Sequence, residues 1–154
     1  MRIVWIIDNK FRELYGLYDL KKKLKSHNIS LYLIHKFNWK TSLDFFNPQI
    51  VVIPNLAKTS GAPILDYAFK KDIDVYFHSS ESVFYQDWVQ KNKYPINLIK
   101  KVKKVLLWSK NDTNYLKKKG FSKKLFLSGS LKFDKSQYQN INIKQNTKIK
   151  TVGI

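Results

Sequence analysis

Residues 2–34 read RIVWIIDNKFRELYGLYDLKKKLKSHNISLYLI, and this stretch decides the fold class. Arg2 to Ile7 is a near-continuous apolar run, the pattern of a strand covered on both faces. A helix is expected from about Arg12 to Ser26, with Leu14, Leu17, Leu20 and Leu24 on one face at three- and four-residue spacing. His27 and Asn28 close it, and Ile29 to Ile34 makes a second strand. Strand, helix, strand is the unit from which parallel sheets are built.

The alternation continues downstream. A short helix, Trp39 to Phe46, leads through Asn47-Pro48 into QIVVIP. Pro48 and Pro54 bracket this third strand rather than interrupt it, as proline's missing N–H requires. Thr59 and Ser60 precede a helix whose apolar face is Ile64, Leu65, Ala68 and Phe69. Asp74 to His78 reads as strand four, Val105 to Trp108 as strand five and Lys124 to Gly129 as strand six. A helix from Ser109 to Lys119, closed by Gly120, joins the last two. Between Ser79 and Lys103 a partly helical insertion is expected around Val83 to Gln90, then a short helix near Pro95 to Lys103. The pattern predicts a three-layer, Rossmann-like α/β domain over residues 1–134, with a mostly parallel sheet of about six strands. Residues 135–154 read as a polar interdomain linker and then KTVGI, a new apolar run expected to open a second domain.

Composition bounds the function. The chain is 44% hydrophobic and 15% aromatic, far from a disordered profile. It has no cysteine, which excludes disulfides, thiolate metal sites and cysteine nucleophiles. No apolar run approaches the roughly 18 residues that cross a bilayer. The start reaches Asp8 without a small-residue cleavage site, so a cytoplasmic protein is expected. Lys and Arg number 29 against 11 acids, a net charge of +18, which draws anions such as phosphorylated substrates, anionic membrane surfaces or nucleic acid. Lys, Asn, Ile, Phe and Tyr also share A/T-rich codons, so genome composition accounts for much of that charge equally well. The lysines are dispersed and no nucleic-acid-binding signature occurs, so no specific nucleic-acid partner is expected. A basic nucleic-acid-binding or regulatory module without catalytic activity is the alternative reading.

Ligands of open α/β sheets sit beyond the carboxyl ends of the strands. No G-x-G-x-x-G or Walker sequence follows the first strand, where the chain reads DNKFREL. His27, His35 and His78 are scattered, so no metal site is expected. His78-Ser79-Ser80-Glu81 gathers an imidazole, two hydroxyls and a carboxylate at one strand end, and either Glu81 or His78 could take a proton from an acceptor hydroxyl. Ser80 capping a helix, with Glu81 at its positive end, explains the same residues. Arg12 and Glu13 open the first helix as an arginine fork for an anionic group, or as a solvated Arg and a dipole-matched Glu. Ser60 and Gly61 suit an anion held by backbone N–H groups, or ordinary capping.

Several segments together resemble the amino-terminal half of the bacterial surface-carbohydrate (capsule and lipopolysaccharide) glycosyltransferases of the GT-B architecture. They are FREL with its Leu-rich helix, NPQIVVIPN, HSSESVFY, VLLWSKNDTNYLKKKG and LSGSLKFD. The last is similar to a Gly-Asn-Pro-Arg-x-Asp element, with Gly129 and Asp134 matching and Lys132 in the arginine's place. The resemblance implies a sugar-nucleotide-dependent transferase whose chemistry lies between two domains. Glu81 would be the base or orient the acceptor, His78 would be its neighbour, and Arg12, Ser109 and Lys132 would line the cleft. Ser80, beside Glu81, joins the substrate-binding set. The donor would sit on a carboxy-terminal domain, so this chain would carry no cofactor and be inactive alone. The partner implied is a sugar or lipid-linked glycan acceptor, at the cytoplasmic face of the inner membrane.

Overall fold

The computed structural model describes residues 1–79 and 94–129, and of Arg12 the backbone. Within those residues six strands form one all-parallel sheet: β1 (Arg2–Ile7), β2 (Ser30–His35), β3 (Ile50–Ile53), β4 (Asp74–His78), β5 (Lys104–Leu107) and β6 (Leu125–Leu127). The spatial order is β2-β1-β3-β4-β5-β6. The helices are α1 (Lys10–Lys25), α2 (Trp39–Phe46), α3 (Gly61–Lys70), α4 (Ile96–Ile99) and α5 (Lys110–Lys118). A three-residue 3₁₀ turn, Lys36–Asn38, precedes α2, and another, Ser122–Lys124, precedes β6. The Rossmann-like parallel sheet expected from the alternation is the fold observed.

Register divides the sheet into two faces. On one, Val4, Ile6, Ile34, Val51, Ile53, Val75, Phe77, Val105 and Leu107 are buried with residues of α2, α3, α4 and α5. On the other, Trp5, Ile7, Leu31, Ile50 and Val52 bury against Leu17, Leu20 and Leu24 of α1. Among the described residues α1 is the helix of that second face, and it lies over β1 and β2.

Short-range chemistry sets the helix ends. Asn9 is extended, and its side chain accepts the Phe11 N–H at 3.0 Å, capping α1. Four helices end on a left-handed residue: Asn28 (φ 57°) after α1, Asn47 (φ 40°) after α2, Asp72 (φ 56°) after α3 and Gly120 (φ 87°) after α5. After three of them the next apolar residue donates its N–H back into the helix, Ile29 to Leu24, Ile73 to Ala68 and Phe121 to Leu116, at 2.9–3.1 Å.

Two expected apolar faces need correcting. Leu14 is 43% exposed, and the buried side of α1 is made by Glu13, Gly16 and Leu17 with Leu20 and Leu24 half-buried. A three-residue step falls about 60° short of a full turn, so the steps 14–17–20 carry Leu14 well away from Leu20. Phe69 is 74% exposed on α3, whereas Ile64, Leu65 and Ala68 are buried as expected. The strand-five boundary also shifts: Trp108 follows β5 and is half-buried. The expected helix at Val83 to Gln90, the linker and the KTVGI run lie outside the described residues.

Candidate functional site

The order β2-β1-β3 makes β1 the point where successive connections leave in opposite directions, and such a switch opens a crevice at the carboxyl ends of the strands. A cleft of about 390 Å³ lies there. β1 contributes Ile6 and Asp8 to it, the segment after β2 contributes Lys36, Phe37 and Trp39, and the segment after β3 contributes Asn55, Thr59, Ser60 and Gly61.

Each wall has a reason for its shape. The Lys36 Nζ lies 2.7 Å from the Asp8 Oδ1 and ties the ends of β1 and β2 together, both side chains remaining partly open to solvent. Beneath this pair, the carboxylate of Glu13 accepts the Asp8 backbone N–H at 3.2 Å. Phe37 projects into solvent at 80% exposure, and Trp39 is half-buried, its ring edge-on to Tyr67 at 5.3 Å. In the third wall the Asn55 Oδ1 accepts the Ser60 hydroxyl at 2.7 Å and the Ala57 N–H at 3.2 Å, closing the loop on itself.

That closure changes what Ser60 and Gly61 can do. The N–H groups of Ser60, Gly61 and Ala62 all donate to the Ala57 carbonyl at 3.0–3.2 Å, and Pro63 has no N–H. The first turn of α3 therefore presents side-chain hydroxyls, not free amides, and an anion held on backbone N–H groups does not fit it. Gly61 is required for a different reason: a Cβ there would lie 2.0 Å from the Asn55 carbonyl oxygen.

Those of the remaining expected site residues that are described lie around the same edge of the sheet. Glu13 is buried behind Asp8 rather than in the cleft. Arg12 lies in the first turn of α1. His78 ends β4, 4% exposed, with its ring tilted against Trp5 at a centroid distance of 5.2 Å. Ser109 caps α5, its Oγ accepting the Asp112 N–H at 3.1 Å. Glu81, Ser80 and Lys132 lie outside the described residues.

A second polar cluster sits at the ends of β4 and β5. Tyr94 is fully buried and its hydroxyl donates to the Ser79 Oγ at 3.4 Å, and the charge of Asp112, itself fully buried, acts on the phenol. Burial, and then the Asp112 charge, push the Tyr94 phenol far above its ordinary 10.0, so it stays neutral and donates. The four buried polar or charged residues among those described, Glu13, His78, Ser79 and Asp112, all lie at this carboxyl edge. No group of three or more potential ligands among the described residues is placed to hold a metal ion.

The carboxyl-end rule selects His35 to Trp39 and Asn55 to Gly61 from the sequence, and so includes Lys36, Phe37, Trp39 and Asn55, but assigns none of these four a role. The available signal was their position after strands two and three, without any motif. An aromatic wall beside an ion pair, two hydroxyls and an amide suits a polyhydroxylated ligand that also carries negative charge: rings cover its C–H face and polar groups meet its hydroxyls.

No family model matches the chain, and no curated protein matches it. Among solved structures it is similar to the UDP-GlcNAc 2-epimerase from Methanocaldococcus jannaschii, with a TM-score of 0.57 and 16% identity over 82% of this chain and 45% of that one. It also overlaps the N-terminal domain of the nisin resistance regulator, a lantibiotic response regulator, at a TM-score of 0.46 and 17% identity over 80% and 96% of the two chains. The chain thus spans less than half the length of the epimerase, and at this identity what the two share is the Rossmann-like fold.

Proposed function

We propose that the chain is the amino-terminal, acceptor-side domain of a sugar-nucleotide-dependent glycosyltransferase of bacterial surface-polysaccharide synthesis, and that the acceptor sugar seats in the cleft between β1 and β3. The observation that carries this reading is the cleft itself: Phe37 and Trp39 beside Lys36, Asp8, Asn55, Thr59 and Ser60 at the switch point of a parallel sheet. The rings take the apolar face of a pyranose. Asp8 and Asn55 meet its hydroxyls, and Lys36 meets a phosphate or carboxylate on the acceptor. The resemblance to GT-B enzymes in FREL, HSSESVFY and LSGSLKFD supports the same reading.

In this reading the acceptor oxygen attacks the anomeric carbon of a sugar nucleotide, the bond to the nucleoside diphosphate breaks, and Glu81, with His78 nearby, takes the hydroxyl proton. The donor is held by a carboxy-terminal domain, with Arg12, Ser80, Ser109 and Lys132 facing the interdomain space, and the chain alone does not turn over. The enzyme works in the cytoplasm, where its acceptor is presented at the inner membrane.

Tryptophan fluorescence titrated with glucose 1-phosphate, N-acetylglucosamine 1-phosphate and inorganic phosphate tests the proposal, since Trp39 lines the cleft. Saturable quenching by a sugar phosphate is expected, weakened about tenfold or more by Phe37→Ala and by Lys36→Ala. Absence of saturation by either sugar phosphate, or quenching indifferent to both substitutions, overturns it.

A further inference from the structure

Helix α1 carries two opposed stripes. At about 100° per residue, Glu13, Gly16, Leu17, Leu20 and Leu24 fall on the side that meets the sheet. On the outward side Phe11, Tyr15 and Tyr18 are 83%, 61% and 55% exposed, with Leu14, 43% exposed, at the margin between the two stripes. The later turns continue the outward stripe with Lys21, Lys22 and Lys25. Cations also sit on the rings: the Lys10 Nζ is 5.0 Å from the Phe11 centroid, and the Lys22 Nζ is 4.5 Å from that of Tyr18. Phe37, exposed and 5.8 Å from the Lys36 Nζ, repeats the pairing after β2, at the sheet edge where α1 begins.

A helix that has already buried one apolar side gains nothing in water from a second. A contiguous exposed apolar stripe rimmed by charge marks a docking surface. We propose that the outer face of α1 docks the protein on an anionic phospholipid bilayer, with Phe11, Leu14, Tyr15 and Tyr18 in the headgroup–acyl boundary and the lysines at lipid phosphates. Charge selects this occupant: α1 holds six cationic residues against two acids, of which Glu13 is buried, in a chain of net charge +18. Aromatic and leucine side chains flanked by lysine are the composition that lies in a bilayer interface, and each lysine adds to attraction by anionic lipid. A nucleic acid would use the lysines and stack on the rings, but Leu14, at the margin of the stripe, offers it neither charge nor a π face. The docking residues named are all on α1, outside the cleft, so the surface does not depend on the cleft taking a sugar.

Sedimentation of the full chain with vesicles tests this. Binding is expected to phosphatidylcholine vesicles containing about one third phosphatidylglycerol, to be absent with phosphatidylcholine alone, and to be released by about 0.5 M NaCl. Phe11→Ser/Tyr18→Ser should weaken it about tenfold or more, and Lys21→Glu/Lys22→Glu/Lys25→Glu should abolish it. Because the chain has no cysteine, Phe11→Cys and Phe69→Cys each take a single environment-sensitive dye. Anionic vesicles should blue-shift the label at Phe11 and leave that at Phe69, exposed on α3 across the sheet, unchanged. Failure to bind anionic vesicles, equal binding to both vesicle types, equal shifts at both labels, or variants that sediment like the parent would each overturn the proposal. So would a stripe that proves to mediate binding of a single-stranded oligonucleotide, or self-association, in a chain that ignores vesicles.

Discussion

Gly61 shows how closely a single residue can be prescribed. Gly61→Ala places a methyl carbon 2.0 Å from the Asn55 carbonyl oxygen and 2.8 Å from the Leu56 Cα, both backbone atoms that cannot swing aside. The cost expected is about 3 kcal/mol or more in urea unfolding. Gly120→Ala, where no atom lies within 4 Å and only the φ of 87° resists, should cost about 1 kcal/mol. Tyr94 makes the second residue-scale prediction. The unfolded phenol ionises near its ordinary 10.0, whereas burial keeps the folded one protonated well above that. Above about pH 10 the unfolded chain therefore loses a proton that the folded chain retains, and the contribution of Tyr94 to stability, full below that pH, falls by up to about 1.4 kcal/mol per pH unit. Tyr94→Phe should be less stable by about 1–2 kcal/mol at neutral pH, and its deficit should shrink as urea curves are taken through about pH 11. A deficit constant with pH would refute the assignment. Little of this chemistry could be read from sequence. Ser60 and Gly61 announce a helix start, but the carbonyl that forbids a Cβ belongs to a loop folded back on itself. Asp8 and Lys36 meet across 28 positions, and Tyr94 meets Ser79 across 15, distances at which local pattern carries no information.

Elements were far more legible, because strands and helices are decided by neighbours. Strands Arg2–Ile7 and Asp74–His78 and helix Trp39–Phe46 fall where alternation, proline brackets and apolar spacing place them. Helix ends were legible where Asn28 and Gly120 stop α1 and α5. Asp72 was not, since aspartate in a left-handed conformation leaves no signal a solvated loop would lack. The rotation of α1 was misread at Leu14, because leucine spacing alone cannot tell a buried stripe from an exposed one when both sides of a helix are apolar. Leu17→Ala, at a side chain with no exposed surface, should cost about 2–4 kcal/mol, whereas Leu14→Ala should change stability by less than about 0.5 kcal/mol. Equal losses in thermal or urea unfolding would return the helix to the rotation the leucines suggest.

At the scale of the molecule, the sheet is guarded unequally by the described residues. Four of the five helices named above lie on one side and α1 on the other, over β1 and β2. On the α1 side, Tyr76, Lys104 and Leu106 are half-buried and Phe126 is 50% exposed. β2 is an edge strand as well, but it runs six residues in full register with β1, while β6 is a three-residue strand paired with β5. The two margins should therefore breathe on different clocks. Amide hydrogens at Leu125–Leu127 should exchange with solvent by local opening and be insensitive to mild denaturant. Those of Val4, Ile6, Val51 and Ile53 should wait for the whole chain to unfold. Exchange rates that rank β6 with β1 would contradict this. Exchange ranked this way would place the cleft in the stiff part of the described sheet and make the β6 margin the side from which thermal motion enters.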